Sequence, residues 1–177
     1  MRIMVIPDSQ VKPGAPIDHL EWAGKYAVAM KPDVIVHIGD HWDLPSLSSY
    51  DVGKKSFEGR QYTADIKAGN KAMAKFMKPI QAEQNRLKRN KWKQWNPRLT
   101  FCIGNHEHRI ERAIEDDRKL EGLLSYDDFN LKKFGWEVIP FLEVVVIENI
   151  AFSHYFTSGV MGRPVSSAQL MLNKKHM

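Results

Sequence analysis

Side chains that bind divalent metals occur at four separate points of this sequence, each directly after a short apolar run. They are Asp8 and Gln10, then Asp40 and Asp43 within Gly39-Asp-His-Trp-Asp43, then Asn105 and His106 within Gly104-Asn-His-Glu107, and finally His154. Carboxylate, amide and imidazole groups are common protein ligands of such cations. The sequence therefore predicts a metal site assembled from distant parts of the chain.

Two neighbouring cations at such a site would suit phosphoryl transfer. The two oxygens of Asp40 can bridge ions about 3.5–4 Å apart, which is the spacing of two-metal sites. Asn105 offers a neutral oxygen and precedes a predicted helix, whose free N–H groups favour a phosphate. Two divalent ions carry more charge than Asp8 and Asp40 neutralise. The excess would hold hydroxide and an anionic substrate, so the pattern predicts hydrolysis of phosphate esters.

The apolar runs predict the elements that bring these residues together. Residues 2–7, 34–38 and 99–103 have the composition of strands, and residues 18–30 have helical spacing with Asp18 as the predicted cap. A strand, a helix and a second strand in about 35 residues indicate a crossover between parallel strands. Ligands bind beyond the carboxyl ends of such strands, so the four groups are expected to converge there.

Charge is concentrated in one segment. Residues 54–98 contain thirteen Lys or Arg and three acids, which gives +10 locally, whereas the whole chain carries +5. We predict a basic helical insertion there, with a helix over residues 64–90 that Pro79 kinks or splits. Its lysines at 67, 71, 75 and 78 form one column, which is either a solvated face or a track for nucleic acid. Trp92 and Trp95 would then stack on bases, or else belong to the core.

The rest of the chain completes an α/β pattern. A helix is predicted over residues 106–124, and strands over residues 136–139, 141–147 and 150–153. Helices at the front and strands at the back suit two packed mixed β-sheets flanked by helices, an α/β/β/α sandwich, within a single domain spanning residues 1–177.

Composition excludes several classes of protein. The chain is 43% hydrophobic and 27% charged, so it is not disordered. No apolar run approaches the about 20 residues of a membrane helix, and the N-terminus lacks a signal peptide's apolar region. We therefore expect a cytoplasmic protein without a membrane partner. Its single cysteine, Cys102, lies in a predicted buried strand and is interpreted as a core residue.

In their order and spacing, these motifs resemble those of the calcineurin-like metallophosphoesterases. The matching pieces are Asp8-x-Gln10, Gly39-Asp-x-x-Asp43, Gly104-Asn-His-Glu107 and His154, which extend over about residues 1–156. The small phage-encoded members are the most similar. The resemblance implies the sandwich fold and a hydrolase that uses two metal ions on phosphomonoesters, phosphodiesters, nucleotides or nucleic acids.

The resemblance also implies a role for each matching residue. Asp8 and Gln10 would bind the first metal, Asp40 would bridge both metals, and Asn105 and His154 would bind the second. His106 would contact phosphate together with Asn105 and protonate the leaving group, with Glu107 or Asp43 as its orienting partner. Arg109 lies outside the matching motifs, but its place at the start of the predicted helix suits either a grip on a further phosphate oxygen or a solvated ion-pair face with its neighbours Glu111 and Arg112.

Two departures from the family pattern affect these expectations. Gln10 stands where the family usually has histidine, so we expect manganese, with magnesium, iron, nickel or zinc as alternatives. The final Gly-His-x-His motif is absent, because only His176 follows His154. We therefore predict that the chain is truncated at its C-terminus or continues beyond this sequence, with one ligand missing from each metal.

Other readings of these residues stay open. The chain is expected to be either a phosphoesterase, with a phosphodiester or nucleic acid as the favoured substrate, or a catalytically impaired metal- or nucleic-acid-binding module of the same fold. Asp43 alone has the character of a turn former. His37 is interpreted as a hydrogen-bonded core residue, whereas His41 suits either substrate contact or packing beside Trp42. The sequence leaves the oligomeric state open.

Overall fold

A wholly parallel four-stranded sheet forms the centre of the protein. The computed structural model describes residues 1–158, 162–167 and 171. Its strands are β1 (Ile3–Ile6), β2 (Val34–His37), β3 (Arg98–Cys102) and β4 (Glu137–Ile139), hydrogen bonded in that order. Every neighbouring pair is parallel. The predicted α/β class and these four predicted strands are confirmed, with ends that differ by one or two residues.

Three helices follow the first three strands. Helix α1 (Asp18–Met30) connects β1 to β2, α2 (Tyr62–Arg89) connects β2 to β3, and α3 (Arg109–Asp116) follows β3. The prediction that Asp18 caps α1 is wrong, because Ile17 occupies the cap position and makes no side-chain cap bond.

The other two helix predictions have different outcomes. The helix predicted over residues 106–124 is too long, because α3 ends at Asp116 and a short 3₁₀ turn at Arg118–Leu120 follows it. Pro79 lies inside α2 without splitting it, and a kink there stays a prediction. At this point α1 and α2 cross closely, since a Cβ atom on Gly24 would lie only 2.2 Å from the carbonyl oxygen of Phe76. Tight helix packing therefore holds α2 together where Pro79 removes a hydrogen-bond donor.

The two faces of the sheet are covered differently. Because side chains alternate along a strand, Ile35 faces α1 and α2, while Val34 and Val36 face the other way. That other face packs against a hairpin formed by β5 (Val145–Ile147) and β6 (Ile150–Phe152). The chain therefore places helices on one side of the sheet and a β-hairpin on the other.

The second sheet is smaller than predicted, and neither sheet is mixed. Helical crossovers make the first sheet wholly parallel, and a tight turn makes the β5–β6 hairpin antiparallel. A further antiparallel pair joins β7 (Thr157–Ser158) to β8 (Arg163–Pro164). The described residues thus form a mixed α/β structure with one parallel sheet and two small antiparallel ones.

The basic segment takes part in the main core. Most of residues 54–98 belongs to α2, whose predicted apolar stripe is buried against the sheet and α1. The buried apolar residues of α2 are Ala72, Met73, Phe76, Met77, Ile80 and Leu87. No helix in the described ranges is long and apolar enough to cross a membrane.

Candidate metal centre

The loops that leave β1 and β2 are joined by backbone hydrogen bonds. The N–H groups of Ser9 and Gln10 donate to the carbonyl oxygen of Asp40 at 3.1 and 2.8 Å. The N–H group of Val11 donates to the carbonyl oxygen of His41 at 2.7 Å. The carboxyl ends of these strands therefore meet at one edge of the sheet, as the sequence predicts.

Two glycines let the ends of β2 and β3 approach each other. Gly39 has a φ of +97°, and a Cβ atom there would lie 2.7 Å from the backbone of Gly104. A Cβ atom on Gly104 would lie 2.2 Å from Oδ1 of Asp40. Asp40 itself has a φ of +52°, a left-handed conformation that is strained for a residue other than glycine. The backbone thus accepts strain where Oδ1 of Asp40 accepts from the N–H group of His106 at 2.9 Å.

Three predicted ligands converge at this edge. Nε2 of His154 lies 2.8 Å from Oδ1 of Asn105 and 3.5 Å from Oδ2 of Asp40. Asp40 is buried, and the side chain of His154 is 7% exposed. The structure therefore brings together Asp40, Asn105 and His154 from three separate parts of the chain. We call this group the Asp40 cluster.

The hydrogen bonds of His154 decide what the Asp40 cluster needs. Its Nδ1 lies 2.8 Å from the carbonyl oxygen of Ile38, which only accepts, so Nδ1 must carry the proton. A neutral imidazole then presents a lone pair on Nε2 to two oxygens, and three acceptors face one another. A proton on Nε2, a cation, or an Asn105 amide turned so that its NH2 group donates to Nε2 satisfies this contact. Imidazole ligands of metals commonly donate their other N–H to a carbonyl in this way.

The donor set fits a single divalent cation of intermediate hardness. It offers one carboxylate, one amide oxygen and one imidazole nitrogen. Across residues 1–158, 162–167 and 171, no three His, Cys, Asp or Glu side chains are grouped to hold a metal. A cation held by the Asp40 cluster would therefore need the amide of Asn105 as its third ligand.

Glu107 organises the backbone around the Asp40 cluster. Its Oε2 accepts from the N–H groups of Asp40 and Gly104, both at 2.9 Å. Its Oε1 accepts from those of His41 and Trp42 at 2.7 and 2.9 Å. Burial and the charge of Asp40 raise the pKa of Glu107 to about 7, against the opposing effect of these donors. One side chain thus ties the turn after β2 to the turn after β3.

His106 lies beside the Asp40 cluster and is oriented by Asp43. Its Nδ1 is 2.8 Å from Oδ1 of Asp43, and its Nε2 is 3.8 Å from Oδ2 of Asp40. Burial lowers the pKa of His106, but its hydrogen bond with Asp43 and the charge of Asp40 outweigh burial and raise it overall. Of the two orienting partners considered for His106, the structure places Asp43 in contact and uses Glu107 elsewhere.

Arg109 is neither solvated nor paired with its helix neighbours. Its side chain is 13% exposed, and Nη1 donates to the carbonyl oxygens of Asp43 and Leu44 at 2.7 and 3.2 Å. Its Nη2 lies 3.3 Å from Nε2 of His106. Arg109 therefore supports the loop that carries Asp43 and reaches the edge of His106 as well.

A cavity of about 460 Å³ opens next to Asp43 and Arg109. Its charged lining residues are Lys12, Asp43, Asp51, Glu58, Arg60, Asp65 and Arg109. Arg60 is already engaged, because Nη1 donates to Asp51 at 2.8 Å and to the carbonyl oxygen of Pro45 at 3.0 Å. This cavity was not predicted from the sequence, since its lining comes from loops and from the first residues of α2 and α3.

Asp8 and Gln10 are not part of the Asp40 cluster. Both residues are exposed, and neither side chain makes a hydrogen bond or ion pair with any part of the chain that the structure describes. Their backbone is nevertheless bonded to that of Asp40. The structure thus brings the predicted ligands of the first metal to the correct edge without engaging their side chains.

The two histidines of β2 and its turn are core residues. His37 is 1% exposed, accepts from the N–H group of Gly39 at 3.2 Å and contacts Oγ of Ser9 at 3.3 Å, which confirms the prediction for this residue. His41 is fully buried, and its Nε2 donates to the carbonyl oxygen of Gly69 at 3.1 Å. Of the two roles considered for His41, the structure shows packing.

Two further sequence-based predictions concern Cys102 and His176. Cys102 is buried, and burial raises the pKa of its thiol to about 11, which agrees with a core residue. His176 lies outside the described residues.

In comparisons with known proteins, no family model matches the chain and no curated protein matches it.

Proposed function

We propose that this protein is a metal-dependent phosphoesterase of the calcineurin-like metallophosphoesterase type. The observation that supports this proposal best is the convergence of Asp40, Asn105 and His154 on one point, next to His106. These residues come from three motifs whose order along the chain already resembles that superfamily. The α/β/β/α sandwich belongs to the same proposal, of which the described residues supply the parallel sheet, its helices and a hairpin.

The Asp40 cluster would hold one divalent cation, and Asp8 and Gln10 would contribute to a second. Such ions lower the pKa of bound water and neutralise charge on a phosphoryl group. Manganese is the favoured ion, with magnesium, iron, nickel or zinc as alternatives, because the cluster mixes oxygen and nitrogen donors.

His106 would move the proton that the leaving group needs. Asp43 fixes Nδ1, so Nε2 is the ring nitrogen that faces the Asp40 cluster. A phosphate bound there would lie against Asn105 and Nε2 of His106. The protonated imidazole can then donate to the departing oxygen, and Asp43 stabilises the charged ring while it does so. Arg109 would hold His106 and the loop that carries Asp43 in position beside the phosphate.

The neighbouring cavity suggests the class of ester. It is large enough for a compact leaving group, and its acids outnumber its cations. Arg60 and Arg109 already donate to protein oxygens there, so few donors are left for further phosphates. A phosphodiester or phosphomonoester with a small, uncharged alcohol fits this cavity better than a polyphosphate does. Nucleic acid as a substrate of this centre stays a prediction from the sequence.

Hydrolysis of a nitrophenyl phosphate ester in Mn²⁺ tests the proposal. We expect release of nitrophenol by the unaltered chain and loss of at least about 100-fold in rate in the Asp40→Asn variant, which keeps the shape of the ligand without its charge. Asp33→Asn is the matched control, because Asp33 is exposed at the opposite edge of the sheet and should leave the rate unchanged. Equal rates in both variants, or no turnover with any divalent metal, would reject the proposal.

The exposure of Asp8 and Gln10 favours a second candidate function. A module that binds one metal ion without turnover would need only the Asp40 cluster. Calorimetric titration with Mn²⁺ separates the two candidates. Two sites favour the phosphoesterase, whereas one site without hydrolysis favours the module.

A further inference from the structure

A basic surface with an exposed tryptophan lies where α2 ends. It comprises Lys88, Arg89, Lys91, Trp92 and Lys93, and we call it the Trp92 surface. All five residues are exposed, and Trp92 as a whole residue is 55% exposed. An exposed aromatic ring among positive charges offers a stacking surface and an attraction for anions at one place.

The cations of the Trp92 surface have no acidic partners among the described residues. None of its four cationic side chains forms an ion pair with them, whereas the nearby Arg86 and Arg98 pair with Glu83 and Glu137. The surface therefore carries four uncompensated positive charges within six consecutive residues. Such a concentration attracts a polyanion.

The indole of Trp92 lies against the guanidinium of Arg86. The guanidinium of Arg86 lies 5.0 Å from the centre of its ring. Arg86 is fixed in turn by two hydrogen bonds to Glu83, at 2.7 and 2.9 Å, and Glu83 also binds Lys31 at 2.9 Å. The backbone N–H group of Trp92 donates to the carbonyl oxygen of Leu87 at 3.0 Å, which anchors the main chain at this residue. Contact with the paired Arg86 restricts the ring, which lowers the entropy lost on binding.

The Trp92 surface lies far from the Asp40 cluster. Helix α2 begins near the turn after β2, where Gly69 contacts the ring of Trp42, and its 28 residues extend over about 42 Å. At its far end, Nε1 of Trp95 donates to the carbonyl oxygen of Pro32, just before β2. The surface therefore occupies the opposite edge of the sheet, and its role is separate from the proposed catalytic centre.

We propose that the Trp92 surface binds single-stranded nucleic acid. Backbone phosphates would contact Lys88, Arg89, Lys91 and Lys93, and a base would stack on the ring of Trp92. Stacking on an aromatic ring within a basic surface is how proteins bind single strands without sequence preference. An anionic membrane fits less well, because Trp92 is the only large exposed apolar side chain in residues 86–98 and membrane binding needs a larger apolar area.

The lysine column of α2 does not offer the same chemistry. Lys75 is paired with Asp18, and Trp95 is half-buried and hydrogen bonded to Pro32. Lys67, Lys71 and Lys78 are exposed on the same helix, with no aromatic ring held among them. They provide a control that removes equal charge from another part of α2.

Fluorescence anisotropy with a labelled oligothymidylate of about 20 nucleotides tests the proposal across a range of salt concentrations. We expect binding whose affinity falls as salt rises, by a slope of about −0.7 for each phosphate contacted. Trp92→Ala should weaken binding about tenfold with little change of slope, and Trp92→Phe should restore most of it. Replacing Lys88, Lys91 and Lys93 together by alanine should reduce the magnitude of the slope by about 2.

Three outcomes would overturn the proposal. One is no binding at low salt by a chain whose unfolding temperature is normal. Another is an equal loss of affinity when Lys67, Lys71 and Lys78 are replaced by alanine instead. The third is binding to vesicles of phosphatidylserine in preference to the oligonucleotide. The assay needs no hydrolysis and is run in a metal chelator, so its result is independent of the proposed phosphoesterase activity.

Discussion

The two halves of the predicted metal centre differ in how firmly their side chains are held. On one side, Asp40 is buried, and His154, whose side chain is 7% exposed, contacts Asn105 and the carbonyl oxygen of Ile38. On the other side, Asp8 and Gln10 are exposed, and their side chains make no hydrogen bond or ion pair with the described residues. Both sides lie at the same edge of the sheet, so strand topology alone does not account for the difference.

The difference comes from what fixes each loop. The turns after β2 and β3 share the buried carboxylate of Glu107, which accepts four backbone N–H groups. The loop after β1 is held through its backbone and through Oγ of Ser9, which contacts His37. Buried polar groups need hydrogen-bond partners, and those partners restrict where a side chain can lie. The side chains of the Asp40 cluster are restricted in this way, and those of Asp8 and Gln10 are not.

Removing Glu107 should have the largest effect on stability, since this carboxylate holds the turns that carry the Asp40 cluster. Glu107→Ala leaves four buried N–H groups without an acceptor, each costing about 1–3 kcal/mol, so we expect a loss of more than about 4 kcal/mol in the free energy of unfolding. Glu107→Gln should lose less, because one amide oxygen still accepts. Urea denaturation followed by circular dichroism measures both.

Glu115→Gln serves as the control for this change, because Glu115 is exposed on α3 and should leave the unfolding free energy unaltered. If Glu107→Ala were as stable as the unaltered chain, the turns after β2 and β3 would not depend on this carboxylate.

His154→Ala should weaken metal binding more than any change at Asp8 or Gln10. Even an outer partner of a metal ligand is worth about 10- to 100-fold in affinity, so we expect a loss of at least about 100-fold for Mn²⁺ measured by calorimetry. Asp8→Asn should cost less than this for the same ion. The control is His19→Ala, at an exposed histidine of α1. A larger loss for Asp8→Asn than for His154→Ala would reverse the comparison.

His37 connects the loosely held loop to the sheet and makes stability depend on pH. Burial lowers the pKa of His37 well below its ordinary value, so the unfolded chain binds more protons below about pH 6.5. The contribution of His37 to stability should therefore be fully present above that pH and be lost as the pH decreases, by up to about 1.4 kcal/mol per pH unit for one proton. The raised pKa of Glu107 acts in the opposite direction between about pH 4.5 and 7.

His37→Asn should reduce this slope while keeping an acceptor for the N–H group of Gly39. Some slope should remain, because burial also lowers the pKa of His41 to about 4. Unfolding in urea between pH 4 and 7, in a metal chelator, provides the measurement. An unchanged slope in His37→Asn would assign the pH dependence to other groups.

The smallest effect is expected from a stronger metal ligand at position 10, in the loop that also carries Asp8. Gln10→His replaces an amide by an imidazole, which binds manganese or zinc more strongly, so we expect the second cation to bind about three- to tenfold more tightly. Competition calorimetry with Mn²⁺ resolves this change, and Gln61→His provides a control outside the loop. If the affinity for the second ion did not change, the side chain at position 10 would not point toward it.

Much of the fold could be predicted because the sequence repeats simple patterns. The apolar runs of β1, β2 and β3 and the stripe of α2 bury the residues that their spacing indicates. The extent of the second sheet was predicted wrongly, since residues 141–147 give only a three-residue strand within a hairpin. Short apolar runs indicate that a strand is present, but they do not indicate how many partners it has.

The candidate site divides along the same line. The sequence by itself determined which residue types stand at the ends of the strands, because apolar runs and glycines fix where each strand ends. Only the tertiary structure decided that Glu107 would hold the turns, that Asp43 would orient His106 and that the Ile38 carbonyl would direct Nε2 of His154 toward Asp40. These hydrogen bonds depend on which buried donors and acceptors lie close together in the folded chain. The spacing of residues along the sequence does not determine that.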